Sequence, residues 1–334
     1  MNSRTRLIRP FLSGSLLTVI FLFVIAARCA AQTGDPTETI KIDSDLVDLQ
    51  VTVLSHDPAK PPAPLRPEDF LITEDGTPQE ITFFAAADAP FDLVLLLDLS
   101  GSTSNKIKLI RQSSRRFVEA ARPADRIAIV SFTDVVAVNS PLTSNRSDLF
   151  KAIKEIEKPE GGTNFWDALK FVLDVIVRRQ TNRRCAVVVM TDGVDNALPE
   201  VYGDGSRTPF EELLNITRRS DAVIYPVYLD TEPEAIKHQT PASAYVLARQ
   251  QLAQIADASG TIVYRANKLN DLESVYERII RDLGTVYSIG YQPKKSSRDG
   301  KWHDLGVRLA NHPELSARTK SGYYAKVLVT GFPN

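Results

Sequence analysis

"LVLLLDLSGSTSNK", Leu93 to Lys106, decides how this chain is read. A continuous apolar run of strand length, without polar alternation, describes a strand buried on both faces, as in a parallel sheet. It ends on Asp98 and then delivers Ser100, Ser102, Thr103 and Ser104. Parallel α/β sheets form their sites at the carboxyl ends of strands. Small oxygen-bearing side chains at such an end suit a metal cradle, a nucleophile or a helix cap.

Working outward, strands and helices alternate from Ala89 to Gly284. Strands are expected at Phe91–Leu97, Arg126–Phe132, Cys185–Thr191, Ala222–Leu229 and Thr261–Tyr264, all rich in Val, Ile and Leu. A short extra strand, Val135–Asn139, is expected beside the second, running antiparallel. Between them lie helical patterns. "NKIKLIRQSSRRFVEAA" sets Ile107, Ile110 and Phe117 on one side, and "SDLFKAIKEIE" opens on a serine cap. "NFWDALKFVLDVIVRR" carries Phe165, Leu169, Val172, Leu173 and Ile176 at helical spacing. Further helices are expected near Pro209–Arg219, Ser243–Ala258 and Leu269–Leu283. The pattern predicts an α/β fold, a doubly wound, mostly parallel, Rossmann-like sheet.

The flanks have a different period. "IKIDSDLVDLQVTVLS" puts Val47, Leu49, Val51 and Val53 on one face, and "DFLITEDGTPQEITFF" reads as a hairpin turning at Asp75-Gly76. "TVYSIGYQP", "HDLGVRL" and "SARTKSGYYA" alternate again near the carboxyl end. Each flank is short for an independent core. The expected organisation is therefore a β segment over 36–88, the α/β domain over 90–284, and a second β segment over 285–330. The two β segments are expected to pack as one small β-sandwich into which the α/β domain is inserted.

Residues 1–31 carry the layout of a secretory signal peptide. Arg4, Arg6 and Arg9 precede the apolar stretch Leu16–Ala27, and Cys29-Ala30-Ala31 offers small residues for cleavage. The expected location is secreted, periplasmic or elsewhere in the cell envelope, with membrane attachment only if this segment stays uncleaved. Cleavage after Ala31 removes four arginines (4, 6, 9 and 28) and no acid, so the formal charge moves from −1 to −5. Such a chain has no electrostatic reason to bind nucleic acid. It keeps one cysteine, Cys185, so no intramolecular disulfide is expected; in "CAVVVMT" that residue reads as a small buried hydrophobe.

Three predicted strand or helix ends carry chemistry: Asp98-Leu99-Ser100-Gly101-Ser102, Gly161-Gly162-Thr163 and Thr191-Asp192-Gly193. Alone, each has a plainer reading: a serine or threonine N-cap, a loop aspartate, a common turn. Together, at one edge of one sheet, Asp98 and Asp192 point into one crevice if their strands are neighbours, with Ser100, Ser102 and Thr163 around them. Two carboxylates and neutral hydroxyls suit a hard cation such as Mg²⁺. Gly101 is expected to permit the turn between the serines, and Gly161 and Gly162 the approach of the Thr163 loop.

At these residues the chain resembles the von Willebrand factor type A domain, also called integrin I-like, over about Pro90 to Gly284. That family's metal-ion-dependent adhesion site has the pattern DxSxS, then a loop threonine, then a strand-end aspartate. Asp98, Ser100 and Ser102, then Thr163, then Asp192 match it with no position missing. The resemblance implies a divalent metal, usually Mg²⁺ with Mn²⁺ or Ca²⁺ as alternatives, whose open position binds an Asp or Glu carboxylate of a protein partner. It also implies that the final helix shifts along its axis when ligand engages. The flanks, with "EDFLITEDGTPQEITFF" before and "GYYA" after, look like bacterial exported proteins called VWFA-related.

The expected function is thus an exported, metal-dependent protein-binding module and not an enzyme. One alternative is a scaffold whose metal serves only stability. The other is a Mg²⁺-dependent phosphate-ester hydrolase, but the haloacid dehalogenase pattern needs a second Asp where Ser100 stands. A serine hydrolase is disfavoured because His56, His303 and His312 lie in the β flanks and His238 in a loop. "LSGS" is not a nucleophile elbow, and no phosphate-binding G-x-x-x-x-G-K-[ST] follows a strand.

Overall fold

Alternation at the amino-terminal side becomes four strands: β1 (Val47–Ser55), β2 (Phe70–Glu74), β3 (Thr77–Gln79) and β4 (Ile81–Ala85). The computed structural model describes residues 46–57, 60, 62–85, 90–157, 160–179, 183–234, 239–266, 269–294, 299–325 and 327. The expected signal peptide, residues 1–31, lies outside them. Asp75 and Gly76 join β2 to β3 with φ of 48° and 75°, the two positive values that a tight hairpin turn of this hand requires. The predicted hairpin continues only to Gln79. Beyond it, β4 leaves for the opposite sheet, which an alternating pattern alone does not reveal.

The α/β region follows. Its strands are β5 (Phe91–Asp98), β6 (Arg126–Phe132), β7 (Val136–Thr143), β8 (Arg184–Thr191), β9 (Val223–Leu229) and β10 (Tyr264–Ala266). Its helices are α1 (Ile107–Ala120), α2 (Arg146–Glu155), α3 (Phe165–Phe171), α4 (Phe210–Arg219), α5 (Ala242–Ala258) and α6 (Leu269–Leu283). The six strands lie in the order β10-β9-β8-β5-β6-β7, parallel except β7, which runs antiparallel on β6 as expected. All eight residues of β5 and of β8 are buried, and separate apolar clusters cover the two faces. Strand order reverses at β5, so the crevice at its carboxyl end is where a doubly wound sheet places a ligand.

Local departures have local causes. α2 is capped by Asn145, whose side chain accepts from the Ser147 amide at 3.1 Å, and not by the expected serine. The helical pattern after Asn164 is α only to Phe171 and then widens into a π turn over Val172–Ile176. The last strand lies three residues later than expected: β10 runs over Tyr264–Ala266, not Thr261–Tyr264, and pairs with β9 only from Val227 onward, just past Pro226, whose missing N–H removes a ladder donor. Cys185 is buried, which, with the nearby Asp92 charge second, pushes its thiol up to about 12. Native protein at pH 8 is therefore expected to resist thiol-specific reagents that label it fully in denaturant. Rapid native labelling would contradict the burial.

The carboxyl-terminal strands are β11 (Val286–Tyr291), β12 (Trp302–Leu309), β13 (Leu315–Arg318) and β14 (Gly322–Tyr324). They interleave with the first four in two antiparallel sheets, β13-β1-β11-β4 and β14-β12-β2-β3. Val47, Leu49, Val51 and Val53 do share one buried face, packed with Phe70, Ile72 and Tyr287 between the sheets. Neither flank could bury this face alone; each supplies strands to both sheets. β11 follows α6 directly, and Thr285 ties the junction to β1 by donating its hydroxyl to the Val53 carbonyl at 2.8 Å. Arg184 of β8 donates to the Val286 carbonyl, so the last helix ends in a fixed corner. Among the described residues no helix is long and apolar enough to cross a membrane.

Candidate metal centre

β5 and β8 are parallel neighbours in register from Phe91↔Arg184 to Leu97↔Met190. Their carboxyl ends therefore open side by side, which brings Asp98 and Asp192 to one crevice. Both aspartates have no solvent exposure. The Ser100 amide and hydroxyl donate to Asp98 Oδ1 at 2.9 and 2.5 Å. Ser100 and Ser102 hydroxyls lie 3.2 Å apart, and Ser102 Oγ donates to Asp192 Oδ2 at 2.7 Å. A continuous hydrogen-bonded chain thus runs Asp98–Ser100–Ser102–Asp192. These serines do not cap helices: the 3₁₀ turn over Gly101–Lys106 and the start of α1 have no side-chain cap bond.

Thr163 reaches the crevice through its loop. Gly101 N donates to the Gly161 carbonyl at 3.2 Å, laying the loop against the Ser100–Ser102 turn. Thr163 exchanges two bonds with Asn196, its amide donating to Asn196 Oδ1 at 3.2 Å and its carbonyl accepting from Asn196 N at 2.9 Å. Nor is Thr163 the cap of α3, because the first-turn amide of Trp166 donates to Asp195 Oδ2 at 3.0 Å. Side-chain hydrogen bonds thus join Asp98, Ser100, Ser102 and Asp192, while Thr163 is tied by its backbone to Asn196 on the loop after Asp192.

Gly101 is not needed as expected. A Cβ there would meet only the Gly161 carbonyl at 3.5 Å, an ordinary contact. Gly161, with φ of 94°, and Gly162, where a Cβ would lie 2.8 Å from Asn196 Nδ2, are needed as expected, and Gly193 is demanding as well. Its φ is 76°, and a Cβ added to it would lie only 2.8 Å from Leu252 Cδ1.

Residues that the motifs did not reveal complete the centre. Thr191 Oγ1 donates to Asp98 Oδ2 at 2.6 Å, and Thr231 Oγ1 donates to Asp192 Oδ2 at 2.7 Å. Thr191 was within reach of sequence reasoning, because it ends the strand that delivers Asp192. Thr231 was not: it follows β9 with no motif around it. Asp195 accepts from Ala197 N, Ser206 N and Ser206 Oγ besides Trp166, and Asp167 accepts from Arg207 and Thr208 amides. These bonds fasten the 193–209 loop onto α3 and leave Tyr202 projecting, 87 % exposed.

Burial, and after it the neighbouring Asp192 charge, holds the Asp98 carboxyl well above the usual carboxylate range. Hydroxyl and amide donors offset only part of that cost. Two buried carboxylates with hydroxyls between them form a hard all-oxygen donor set, which fits a divalent cation such as Mg²⁺.

Residues 93–194 match the sequence model of the von Willebrand factor type A domain. The chain carries a domain of that family. Calcium-activated chloride channel regulator 1 of Bos taurus is 24 % identical over 223 residues, covering 64 % of this chain and 22 % of its own length. Collagen alpha-1(VI) chain of Gallus gallus is 27 % identical over 143 residues, covering 38 % of this chain and 13 % of its own. The chain thus spans about a fifth or less of these relatives. Among solved structures it is similar to the vWF domain of the type V pili tip protein Mfa5 from Porphyromonas gingivalis. That likeness has TM-score 0.43 and 16 % identity, and covers 57 % of this chain and 95 % of that one. Proximal thread matrix protein 1 from the mussel byssus, with a zinc-occupied MIDAS motif, gives TM-score 0.47 and 17 % identity, covering 63 % and 49 %. The von Willebrand factor type A match covers only residues 93–194, so Thr231 and the β-sandwich strands on either side of the α/β region lie outside it.

Proposed function

We propose that this chain is an exported protein-binding module whose von Willebrand factor type A domain engages a protein partner through a divalent cation. Asp98, Ser100, Ser102, Thr163 and Asp192 would hold the metal, Mg²⁺ in the first instance. The supporting observation is the hydrogen-bonded chain Asp98–Ser100–Ser102–Asp192 at adjacent strand ends, buried except at Ser102, where cap readings of the serines fail. The bound cation would supply an electrophilic position for an Asp or Glu carboxylate of the partner. Thr191 and Thr231 hold the two carboxylates in orientation. Export rests on Arg4, Arg6 and Arg9 ahead of the apolar Leu16–Ala27. The test is capture of envelope proteins on immobilised chain with Mg²⁺ and their release by chelator. Retention unaffected by chelator, or by Asp192→Ala, would remove the metal from the binding reaction.

The 193–209 loop rims this face, and exposed aromatic side chains favour interfaces. Tyr202→Ala is expected to weaken retention of a captured partner by about 10-fold or more while leaving Mg²⁺ affinity within about twofold. Parallel loss of both would point instead to a folding defect in the loop.

A further inference from the structure

A second constellation lies away from the strand-end crevice, in the β-sandwich. Glu74 and Asp75 end β2 at its turn, and His303 sits on the adjoining strand β12. Each offers one ligand atom, and the three atoms lie within 4.8 Å of one another. Asp75 Oδ2 is 2.8 Å from His303 Nδ1, and Glu74 Oε1 is 3.7 Å from the same nitrogen. We propose that Glu74, Asp75 and His303 form a second divalent-metal site, suited to a borderline transition cation such as Zn²⁺, independent of the strand-end centre.

Several features favour a ligand over a plain ion pair. Each carboxylate of the trio has its other oxygen engaged from outside, which leaves the remaining oxygen turned toward His303. Glu74 Oε2 accepts from Tyr323 at 3.1 Å and also from Tyr291. Asp75 Oδ1 accepts from the Asp304 amide at 2.9 Å. With metal on Nδ1 the ring proton resides on Nε2, which faces Asp299 Oδ1 at 3.7 Å. A carboxylate behind the distal nitrogen of a ligating imidazole is the usual supporting partner of such sites. Tyr323 stacks on the imidazole at 5.5 Å and fixes its plane. Charge points the same way. Three carboxylates, Glu74, Asp75 and Asp299, surround one imidazole, and Glu74 and His303 are 6 % and 9 % exposed. Asp75 and Asp299 reach solvent, with side chains 52 % and 36 % exposed, so the group combines a buried carboxylate and imidazole with an open, negatively charged side from which a divalent cation can enter. The imidazole selects the metal, since a hard ion such as Mg²⁺ prefers oxygen alone.

The experiment uses the full chain with Asp98→Ala, in excess Mg²⁺, titrated with Zn²⁺ in a calorimeter. We expect uptake of one Zn²⁺ whose affinity falls at least about 10-fold on adding His303→Gln, and again when Glu74→Gln replaces it. The melting temperature of the Asp98→Ala chain should rise with Zn²⁺, and that rise should shrink in both variants. If His303→Gln fails to fold, Glu74→Gln and Asp75→Asn decide. No uptake by the Asp98→Ala chain, or equal Zn²⁺ affinity with and without these side chains, overturns the proposal. Because the strand-end centre is already disabled, its own assignment stands or falls separately.

Discussion

Asp98→Ala is expected to raise the dissociation constant for Mg²⁺ at the strand-end centre by more than about 100-fold. The carboxylate is fully buried and receives three hydrogen bonds, so a neighbour cannot swing in to replace it. Melting experiments give a second readout. At 100 times its dissociation constant, Mg²⁺ should stabilise the natural chain by about 2.7 kcal/mol and leave Asp98→Ala unmoved. Asp98→Asn makes a useful control. It retains an acceptor for Ser100 but removes one of two like charges held out of water, so without metal it should melt at or above the natural chain. Equal Mg²⁺-dependent shifts in the natural chain and Asp98→Ala would end the metal assignment.

The second large effect concerns the opposite end of the same strand. Asp92, 1 % exposed, binds Arg126 of β6 and Arg183 just before β8, at 2.9 and 2.7 Å through Oδ1. One carboxylate thus pins both neighbours of β5 at the edge away from the metal centre. Asp92→Ala leaves two guanidiniums facing each other over a void. The expected loss is about 3 kcal/mol, at the low end for a broken buried pair, because the arginines keep 37 % and 30 % exposure. Urea unfolding should show the midpoint falling at constant slope. A loss below about 1 kcal/mol would mean the arginines regain in water all they lose from Asp92.

Much of this architecture was legible because its signals are local. Runs such as "LVLLLD" and "CAVVVMT" cannot satisfy both faces of a strand unless helices cover them. The convergence of Asp98, Ser100, Ser102 and Asp192 was legible for the same reason: each ends a strand or opens the next turn. What stayed hidden depends on distant partners. Thr231 meets Asp192 only because β9 lies beside β8. The cap on α3 comes from Asp195, about thirty residues downstream. The switch of β4 between sheets leaves the alternation of "EITFF" unchanged, so periodicity had nothing to register. Gly101 differs the other way: glycine was expected to permit this turn, yet the backbone there has room for a methyl group.

The placement of β4 and β11 as antiparallel neighbours, with the whole α/β region between them in sequence, has a kinetic consequence. Pairing β1 with β11 joins distant residues, Gln50 and Ser288 among them at 238 positions apart. In an unfolded chain, closing the roughly 200-residue loop from β4 to β11 costs about 3 kcal/mol more than closing a tight turn. In the folded molecule Ala85 and Ser288, on either side of the α/β region, are paired a strand spacing apart, about 5 Å, so folding of that region brings the ends of the loop together. The sandwich is therefore a late-forming element with high contact order, templated by the inserted domain. In refolding, tryptophan and tyrosine signals from Trp302 and Tyr324 should lag behind those of Trp166. Slowing the α/β region with Asp92→Ala should delay both phases together.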